Sequence, residues 1–333
     1  MFPSGRATIN DVARAASVSV ATVSKVINQR HGVAAATSAR VLEIVEELGY
    51  ESSLVARSLR SHRTNVIGIL VAEFEPYSTE LLKGTSAAVA GTGYELLAYS
   101  GNGRSAGNAG WERRYLARLG GTLIDGAILV TPTVVDVSFD IPIVAVDPHL
   151  GPSALPTIDS DNLAGAVAAT EYLLGLGHRR IGFLGGRPDL DSARLREEGY
   201  RQALTAAGIP VRPELMRVGG YRPETAEEPA RELLTLAERP TAIFAGNDLT
   251  AIETMEVARS LGLRIPEDLS VIGFDNVPES ALASPPLTTI QQPIQQMGAE
   301  AVRMLIDLID GKERAPHLQL PTSLVIRSSC RAL

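Results

Sequence analysis

Apolar residues recur every three to four positions near the start of the chain, which is the spacing of one helical face. Thr8 precedes this face as a predicted N-cap, and Asp11 follows three residues later in a capping-box position. The face itself consists of Ile9, Val12, Ala13 and Ala16. The pattern therefore predicts a first short helix.

Two further helices follow before residue 50. After a short polar stretch, Ser19 is predicted to cap a second helix that runs to about Asn28. A third is predicted from about Thr37 to Leu48, with Gly49 as its stop. Their inward-facing residues are Val23, Val26 and Ile27 in the second helix, and Val41, Ile44, Val45 and Leu48 in the third. A helix, a tight turn and two more helices outline a helix-turn-helix head, residues 1–50.

The next segment, residues 51–64, is too short and too polar to bury a core of its own. One interpretation is a basic linker. The other is a short hinge helix, capped by Ser52 or Ser53, that folds only against DNA or a partner copy. The residues alone leave both open.

From Val66 the pattern changes to apolar runs that alternate with amphipathic stretches. The runs predict strands at residues 66–72, 95–99, 126–130, 143–146, 180–184, 242–245 and 270–274, and the stretches between them predict helices at residues 80–90, 163–176, 194–207 and 249–261. Continuously apolar strands between helices are typical of an α/β fold with parallel sheets that are covered on both faces. A late helix near residues 297–309 is predicted to return to the first of two lobes.

This organisation gives a two-lobed body behind the head. The N-terminal lobe is predicted to comprise residues 65–161 with 293–320, and the C-terminal lobe residues 162–292 with 321–333. Two lobes suit a chain of 333 residues better than one six-stranded layer.

Charge is unevenly divided between head and body. The first 65 residues hold eight Lys and Arg against five Asp and Glu, a net +3, so the remainder carries −10 of the total of −7. A basic head on an acidic body indicates that only the head meets a polyanion.

Composition excludes several classes of protein. No apolar run reaches the length of a membrane span and no signal peptide is recognisable, so we expect a cytoplasmic protein without membrane contact. The single Cys330 excludes an internal disulfide and a cysteine-based metal site.

The exposed face of the second predicted helix is the candidate DNA-reading surface. Ala21 can make only an apolar contact, for instance with a thymine methyl group, whereas Lys25 can donate to guanine or to a phosphate. Thr22, Ser24 and Asn28 suit phosphate oxygens, which fix register without reading sequence. The alternative is an ordinary solvent-exposed polar face.

These motifs resemble one known family. Residues 8–28, read as TINDVARAASVSVATVSKVIN, look like the DNA-binding head of the LacI/GalR bacterial repressors, and Val55-Ala56-Arg57-Ser58-Leu59 looks like their hinge. Further matches lie at residues 192–196, 246–248, 271–276 and 286–290. The resemblance covers residues 7–328 and implies a body like that of periplasmic binding proteins.

The resemblance implies roles in DNA binding. Val20, Ala21 and Lys25 would face bases in the major groove, and Leu59 would wedge into the minor groove and kink the duplex. With them, the predicted DNA-binding set is Thr8, Val20, Ala21, Thr22, Ser24, Lys25, Asn28, Arg57 and Leu59. Two positions depart from the family pattern. Lys25 stands where many relatives have Arg, and Ser52-Ser53 stands where a Pro-Asn pair is common.

The resemblance also implies an effector cleft between the lobes. Arg196, Asn247 and Asp275 match positions that hold ligand hydroxyls or carboxylates, and Tyr221 matches a position that is often aromatic. Glu73, Phe74, Tyr77 and Asp147 follow first-lobe strands, where open α/β sheets bind ligands. Such polar groups beside an aromatic ring suit a sugar-like polyol. Taken singly, some of these residues have an alternative interpretation without a role in ligand binding: a surface ion pair for Arg196, a strand end for Asp275, and solvated loop charges for Glu73 and Glu75.

No catalytic constellation is recognisable. The five histidines are scattered, and the glycines at 185–186 lack the spacing of a dinucleotide site. We therefore expect no enzyme activity, no cofactor and no metal.

The sequence thus predicts a homodimeric repressor of carbohydrate-utilisation genes. It would bind an inverted-repeat operator in double-stranded DNA and respond to a small sugar-like effector. The rival interpretations are a cytoplasmic sugar- or nucleoside-binding protein and an enzyme on the same body fold. Inducer and co-repressor modes both remain open, as does a phosphoprotein partner.

Overall fold

The computed structural model describes residues 7–27, 31–50, 63–101, 110–133, 140–151, 155–312 and 315–333. The chain divides into two compact units, residues 1–64 and 65–333. The described part of the first unit forms the helices α1 (Ile9–Ala15), α2 (Val20–Ile27) and α3 (Ala35–Glu47).

Side-chain hydrogen bonds set the start of the first two helices. The Thr8 backbone N–H donates to Asp11 Oδ2 at 3.0 Å, and the Thr22 N–H donates to Ser19 Oγ at 3.1 Å. Ser17 lies in the turn between α1 and α2 with a left-handed φ of 52°. Both caps predicted from the sequence are therefore confirmed.

The third helix begins at Ala35, two residues before the predicted start near Thr37. The two additional residues are alanines, which favour helix more than any other residue and need no capping side chain to extend it. The Arg40 guanidinium also donates to the Ala16 carbonyl and so ties α3 to the end of α1. The buried core of the unit consists of Val12, Ala13, Ala16, Val23, Val26 and Val41.

The second unit alternates strands and helices. In chain order its elements are β1 (Val66–Val71), α4 (Pro76–Val89), β2 (Glu95–Ser100), α5 (Trp111–Leu119), β3 (Gly126–Val130), β4 (Ile143–Val146), β5 (Thr157–Ser160), α6 (Asn162–Gly175), β6 (Ile181–Gly185), α7 (Asp191–Ala206), β7 (Met216–Val218), α8 (Pro223–Leu234), β8 (Ala242–Ala245), α9 (Asp248–Ser260), β9 (Ser270–Asp275), α10 (Pro278–Leu282), β10 (Thr288–Gln291), α11 (Ile294–Ile309), β11 (His317–Leu320) and β12 (Ser323–Val325). A short 3₁₀ turn, Pro213–Leu215, precedes β7.

The described strands form two six-stranded sheets. The first has the order β11-β5-β4-β3-β1-β2 and the second β12-β10-β9-β8-β6-β7. The paired strands run parallel, except that β12 is antiparallel to β10. In the first sheet, Ile67 lies opposite both Leu96 and Gly126. The prediction of an α/β body with parallel sheets is confirmed.

The late helix α11 returns to the first sheet, as predicted. Met297 and Leu305 are buried in one cluster with Ile67 and Val144. Glycine permits its contact with α4, because a Cβ on Gly84 would lie 1.9 Å from the Gln295 carbonyl oxygen. Across the described ranges, no helix combines the length and apolarity needed to cross a membrane.

Candidate functional site

The second helix of the head presents a small aliphatic and cationic surface. Val20, Ala21 and Lys25 are exposed, while Thr22 and Ser24 are partly buried. This placement agrees with the face expected to read DNA. Asn28, Arg57 and Leu59, which were also predicted to contact DNA, lie outside the described residues.

Two hydroxyls of the predicted DNA-binding set, those of Thr8 and Thr22, already have partners within the head. The Thr8 hydroxyl donates to Asp11 Oδ2 at 2.6 Å, and the Thr22 hydroxyl lies 2.9 Å from Ser19 Oγ. Hydrogen bonds from Thr8 lower the pKa of Asp11, so its carboxylate stays ionised. Each of the two hydroxyls therefore serves first to fix the start of a helix.

In the body, Arg196 is the centre of a buried polar cluster. It projects from α7 and is only 3% exposed. Its Nε donates to Asn162 Oδ1 at 2.8 Å, and its Nη1 donates to the Gly246 carbonyl at 2.5 Å. The guanidinium carbon lies 3.8 Å from the centre of the Phe274 ring and 5.4 Å from that of Tyr221. Packing and hydrogen bonds thus hold this charge in one orientation.

Asp275 ends β9 and faces the same guanidinium. Its Oδ1 lies 3.5 Å from Arg196 Nη1 and accepts a hydrogen bond from Gln292 Nε2 at 2.6 Å. Gln292 in turn accepts from the Ser160 hydroxyl at 2.5 Å, so the carboxylate is linked to the end of β5 in the first sheet. Burial raises the pKa of Asp275 to about 7 although Arg196 opposes this shift.

Asp147 lies just beyond β4 with a left-handed φ of 49°. Burial raises the pKa of Asp147 to about 6, and nearby Asp159 and Asp191 add to the shift while Arg196 reduces it. The ends of β4 and β9, in different sheets, therefore supply carboxylates that act on one guanidinium.

Two tyrosines complete the cluster. Among the described residues, the hydroxyl oxygens of Tyr77 and Tyr221 are buried and have no hydrogen-bond partner. Burial raises the pKa of Tyr221 to about 12, so its hydroxyl is neutral at physiological pH. The charges of Asp147, Asp275 and Arg196 all act on Tyr77. A buried hydroxyl without a partner is costly, and it is suited to a bound polar molecule.

Glycines and one amide position Tyr221. A Cβ on Gly186 would lie 2.2 Å from the ring carbon Cζ, and one on Gly246 would lie 2.9 Å from Cε1. Asn247 Nδ2 donates to the Tyr221 carbonyl at 3.2 Å, and Asn247 Oδ1 caps α9 by accepting from the Thr250 N–H at 3.0 Å. Much of the hydrogen-bonding capacity of Asn247 is therefore used to shape the site.

The loop after β1 lies at the rim of this cluster. Glu73 forms an ion pair with Arg222, with 2.9 Å between Oε2 and Nη2. Arg222 directly precedes α8, and both side chains are partly exposed. Phe74 is 56% exposed. Glu75 instead caps α4 by accepting from the Tyr77 and Ser78 N–H groups at 2.6 and 2.9 Å.

Sequence reasoning missed Asn162, Gln292 and Arg222. Asn162 begins α6 directly after β5, and Gln292 directly follows β10, so both occupy segments that join the two sheets. Both residues follow strands, which was a usable signal. Neither residue type, however, indicated that Asn162 contacts Arg196, 34 residues away, or that Gln292 contacts Asp275, 17 residues away. The described residues contain no cluster of three or more His, Cys, Asp or Glu arranged to hold a metal ion.

Comparison with known proteins identifies both units. The profile of bacterial regulatory proteins of the lacI family matches residues 8–53, and that of the periplasmic binding protein-like domain matches residues 170–330. The HTH-type transcriptional repressor PurR of Photobacterium profundum is 36% identical over 98% of this chain and 99% of its own length. PurR of Yersinia pestis (strain Pestoides F) is 37% identical over 97% of this chain and 96% of its own.

Solved structures agree. A complex of the transcriptional regulator CelR with cellobiose has a TM-score of 0.72 at 32% identity, covering 97% of this chain and 100% of that one. A lac repressor dimer bound to operator and the anti-inducer ONPF has a TM-score of 0.85 at 27% identity, covering 98% and 100%. The body is therefore a ligand-binding unit, and the protein is a DNA-binding transcriptional repressor and not an enzyme. The chain belongs to the lacI family of bacterial regulatory proteins.

Proposed function

We propose that the effector of this repressor is a sugar or a sugar-like polyol, bound by the cluster around Arg196. The observation that carries the proposal is the pair of buried tyrosine hydroxyls, on Tyr77 and Tyr221, without hydrogen-bond partners among the described residues. Each can both donate to and accept from a ligand hydroxyl.

The surrounding groups add the other contacts that a polyol uses. Carboxylates accept hydrogen bonds from hydroxyl groups, and the charges of Asp147 and Asp275 both act on Arg196. The contacts of Arg196 described above use its Nε and Nη1, which leaves Nη2 to donate to a ligand oxygen. The Tyr221 ring provides an apolar face for the C–H groups of a sugar.

The similarity to the CelR complex favours the same class of ligand, since that regulator is seen with cellobiose. Of the residues predicted to hold the effector, we assign direct contacts to Tyr77, Asp147, Arg196, Tyr221 and Asp275. We assign Glu73 and Asn247 to shaping the cleft, and Phe74 to its rim.

We further propose that a homodimer reads an inverted-repeat operator through two heads, and that it does so in the cytoplasm. Lys25 would contact bases or phosphates from the exposed side of α2. Leu59 of the hinge would wedge into the minor groove. The effector would shift the balance between two arrangements of the lobes, and it can do so only by binding one of them more tightly.

Calorimetric titration of the full chain with mono- and oligosaccharides tests the effector class. We expect at least one neutral sugar to bind, and we expect Arg196→Ala to lose that binding because its anchoring donors are gone. Arg201→Ala is the matched control, since it removes an exposed arginine of the same helix that pairs only with Glu197 among the described residues. Binding of nucleobases in place of sugars would refute the sugar class.

A further inference from the structure

We propose that this cleft selects an uncharged effector and rejects the phosphate ester or acid of the same compound, with Asp147 as the main selecting residue. The inference rests on the proposed function, since it concerns the ligand of the same site. It follows from the balance of charges around the two unpartnered tyrosine hydroxyls.

Carboxylates outnumber cations at the cluster. Arg196 is a single positive charge, and Asp275 already pairs with it at 3.5 Å. The Asp147 backbone N–H donates to the Ile158 carbonyl of β5 at 2.9 Å, near the strand end that Ser160 and Gln292 link to Asp275. The Glu75 carboxylate accepts from the Tyr77 N–H at 2.6 Å. Both carboxylates raise the pKa of Asp275 and of Tyr77. The cluster therefore carries more negative than positive charge when its acids are ionised.

The other charged groups near Asp147 do not offset this excess of negative charge. Asp159 and Asp191 both act on it as further negative charges. His317 lies 2.8 Å from Asp159, and Arg194 pairs with Asp191, so each of these basic side chains faces a carboxylate of its own.

The cations at the rim are likewise paired. Arg222 pairs with Glu73 at 2.9 Å, and Arg187 pairs with Asp189 at 2.5 Å. Among the described residues, none of these cations is left to neutralise a phosphate. An anionic ligand would meet the buried Asp275 and the half-buried Asp147, and like charges repel more strongly there than in bulk water.

A neutral polyol meets the same groups favourably. The Ser192 hydroxyl already hydrogen-bonds to Asp147. An ionised carboxylate can accept further hydrogen bonds, which a ligand hydroxyl placed beside it supplies and a phosphate dianion in the same place does not. The tyrosine hydroxyls and Arg196 then bond to the remaining ligand oxygens.

Matched pairs of compounds test the inference on the full chain at pH 8, where the two aspartates are largely ionised. The probes are glucose and glucose 6-phosphate, ribose and ribose 5-phosphate, cellobiose and cellobionic acid, and adenosine and AMP, each titrated by calorimetry. We expect at least one neutral member to bind about 100-fold more tightly than its anionic partner. An anionic member that binds as tightly as its neutral partner, or a panel in which no neutral member binds, overturns the inference.

The Asp147→Asn variant tests the assigned residue. It keeps the shape of the side chain and removes its charge, so the preference for the neutral compound should shrink about tenfold. Glu197→Gln is the control, because it removes a partly exposed carboxylate of the same helix as Arg196, which pairs with Arg201. A preference unchanged by Asp147→Asn, in a variant whose circular dichroism matches the wild type, refutes the role of this residue.

The two proposals fail in different ways. If only adenosine binds, the sugar class is wrong and the charge selection stands. If a sugar phosphate binds better than its sugar, the sugar class stands and the charge selection is wrong.

Discussion

Replacing Gly186 by alanine should disturb the cleft through one side chain. The added Cβ would lie 2.2, 2.5 and 2.6 Å from the Cζ, Cε2 and Cε1 atoms of Tyr221. These distances are far below van der Waals contact, so the ring has to move. Tyr221 cannot do so freely, because its backbone has a left-handed φ of 66° and Asn247 holds its carbonyl.

The cost should be that of overpacking a well-filled site, about 1–3 kcal/mol. For a unit of this size, that lowers the unfolding midpoint by roughly 2–12 °C. If the displaced ring no longer covers the ligand, sugar affinity should fall about tenfold or more. Operator binding should persist, because the substitution lies outside the head.

Thermal unfolding and calorimetry of the full chain measure both effects. Gly175→Ala is the matched control, since a Cβ at this helical glycine meets no atom within 4 Å. It should leave stability unchanged or raise it by up to about 1 kcal/mol.

The double variant Gly186→Ala, Tyr221→Ala separates the clash from other causes. Once the ring is gone, adding the methyl group should cost almost nothing beyond Tyr221→Ala alone. If Gly186→Ala is as stable as the wild type, or if its cost is the same with and without the Tyr221 ring, the assignment of the ring to this wall of the cleft is wrong.

Three further predictions concern the hinge, pH and the cleft rim. Leu59→Ala should weaken specific operator binding about 10- to 100-fold and reduce DNA bending; an unchanged bend angle in a ligation or fluorescence assay would contradict the wedge. Burial raises the pKa of Asp275 to about 7, so the folded body binds this proton more tightly than the unfolded chain. The bound proton therefore stabilises the fold fully below the unfolded pKa near 4, and this stabilisation is lost as pH rises through about 7. In the wild type the urea midpoint should fall between pH 5 and pH 7.5, and Asp275→Asn should reduce that fall. A variant whose urea midpoint falls as steeply with pH as that of the wild type would refute this. A double-mutant cycle on Glu73→Ala and Arg222→Ala should give a coupling below about 1 kcal/mol in sugar affinity, as expected for a partly exposed pair; a coupling several times larger would mean that the pair holds the lobes closed.

Elements with strong local patterns were predictable. The bounds of β3, β4 and β8 match the apolar runs, since each strand is buried along its whole length. The caps at Thr8 and Ser19 were equally clear, because a short polar side chain beside a helix start has a direct local use.

Elements with mixed patterns were missed. The strand β5 reads Thr-Ile-Asp-Ser and is fully buried, but most of its residues are polar and tied by hydrogen bonds such as that of Ser160. The helix α8 begins at Pro223, a first helical position that suits proline, but it also contains Pro229, which normally indicates a break. Packing in the folded body outweighs local preference in these places.

The candidate site was predictable only in part. Arg196 and Asp275 followed from the resemblance, but the connection from Asp275 through Gln292 to Ser160 joins residues up to 132 positions apart. No spacing in a single sequence indicates such contacts. The burial of the two tyrosine hydroxyls likewise depends on how the sheets face each other.

The central claim is that a small molecule in the body controls the affinity of the head for its operator. Its most direct test is fluorescence anisotropy with DNA selected by the full chain from a random library, at fixed salt, with and without a bound sugar. We expect the sugar to change operator affinity at least about tenfold in the wild type, in either direction, and to leave it unchanged in Arg196→Ala, which still binds the DNA. A sugar that binds the wild type without altering its operator affinity, or an Arg196→Ala variant that folds but no longer binds the operator, would contradict it.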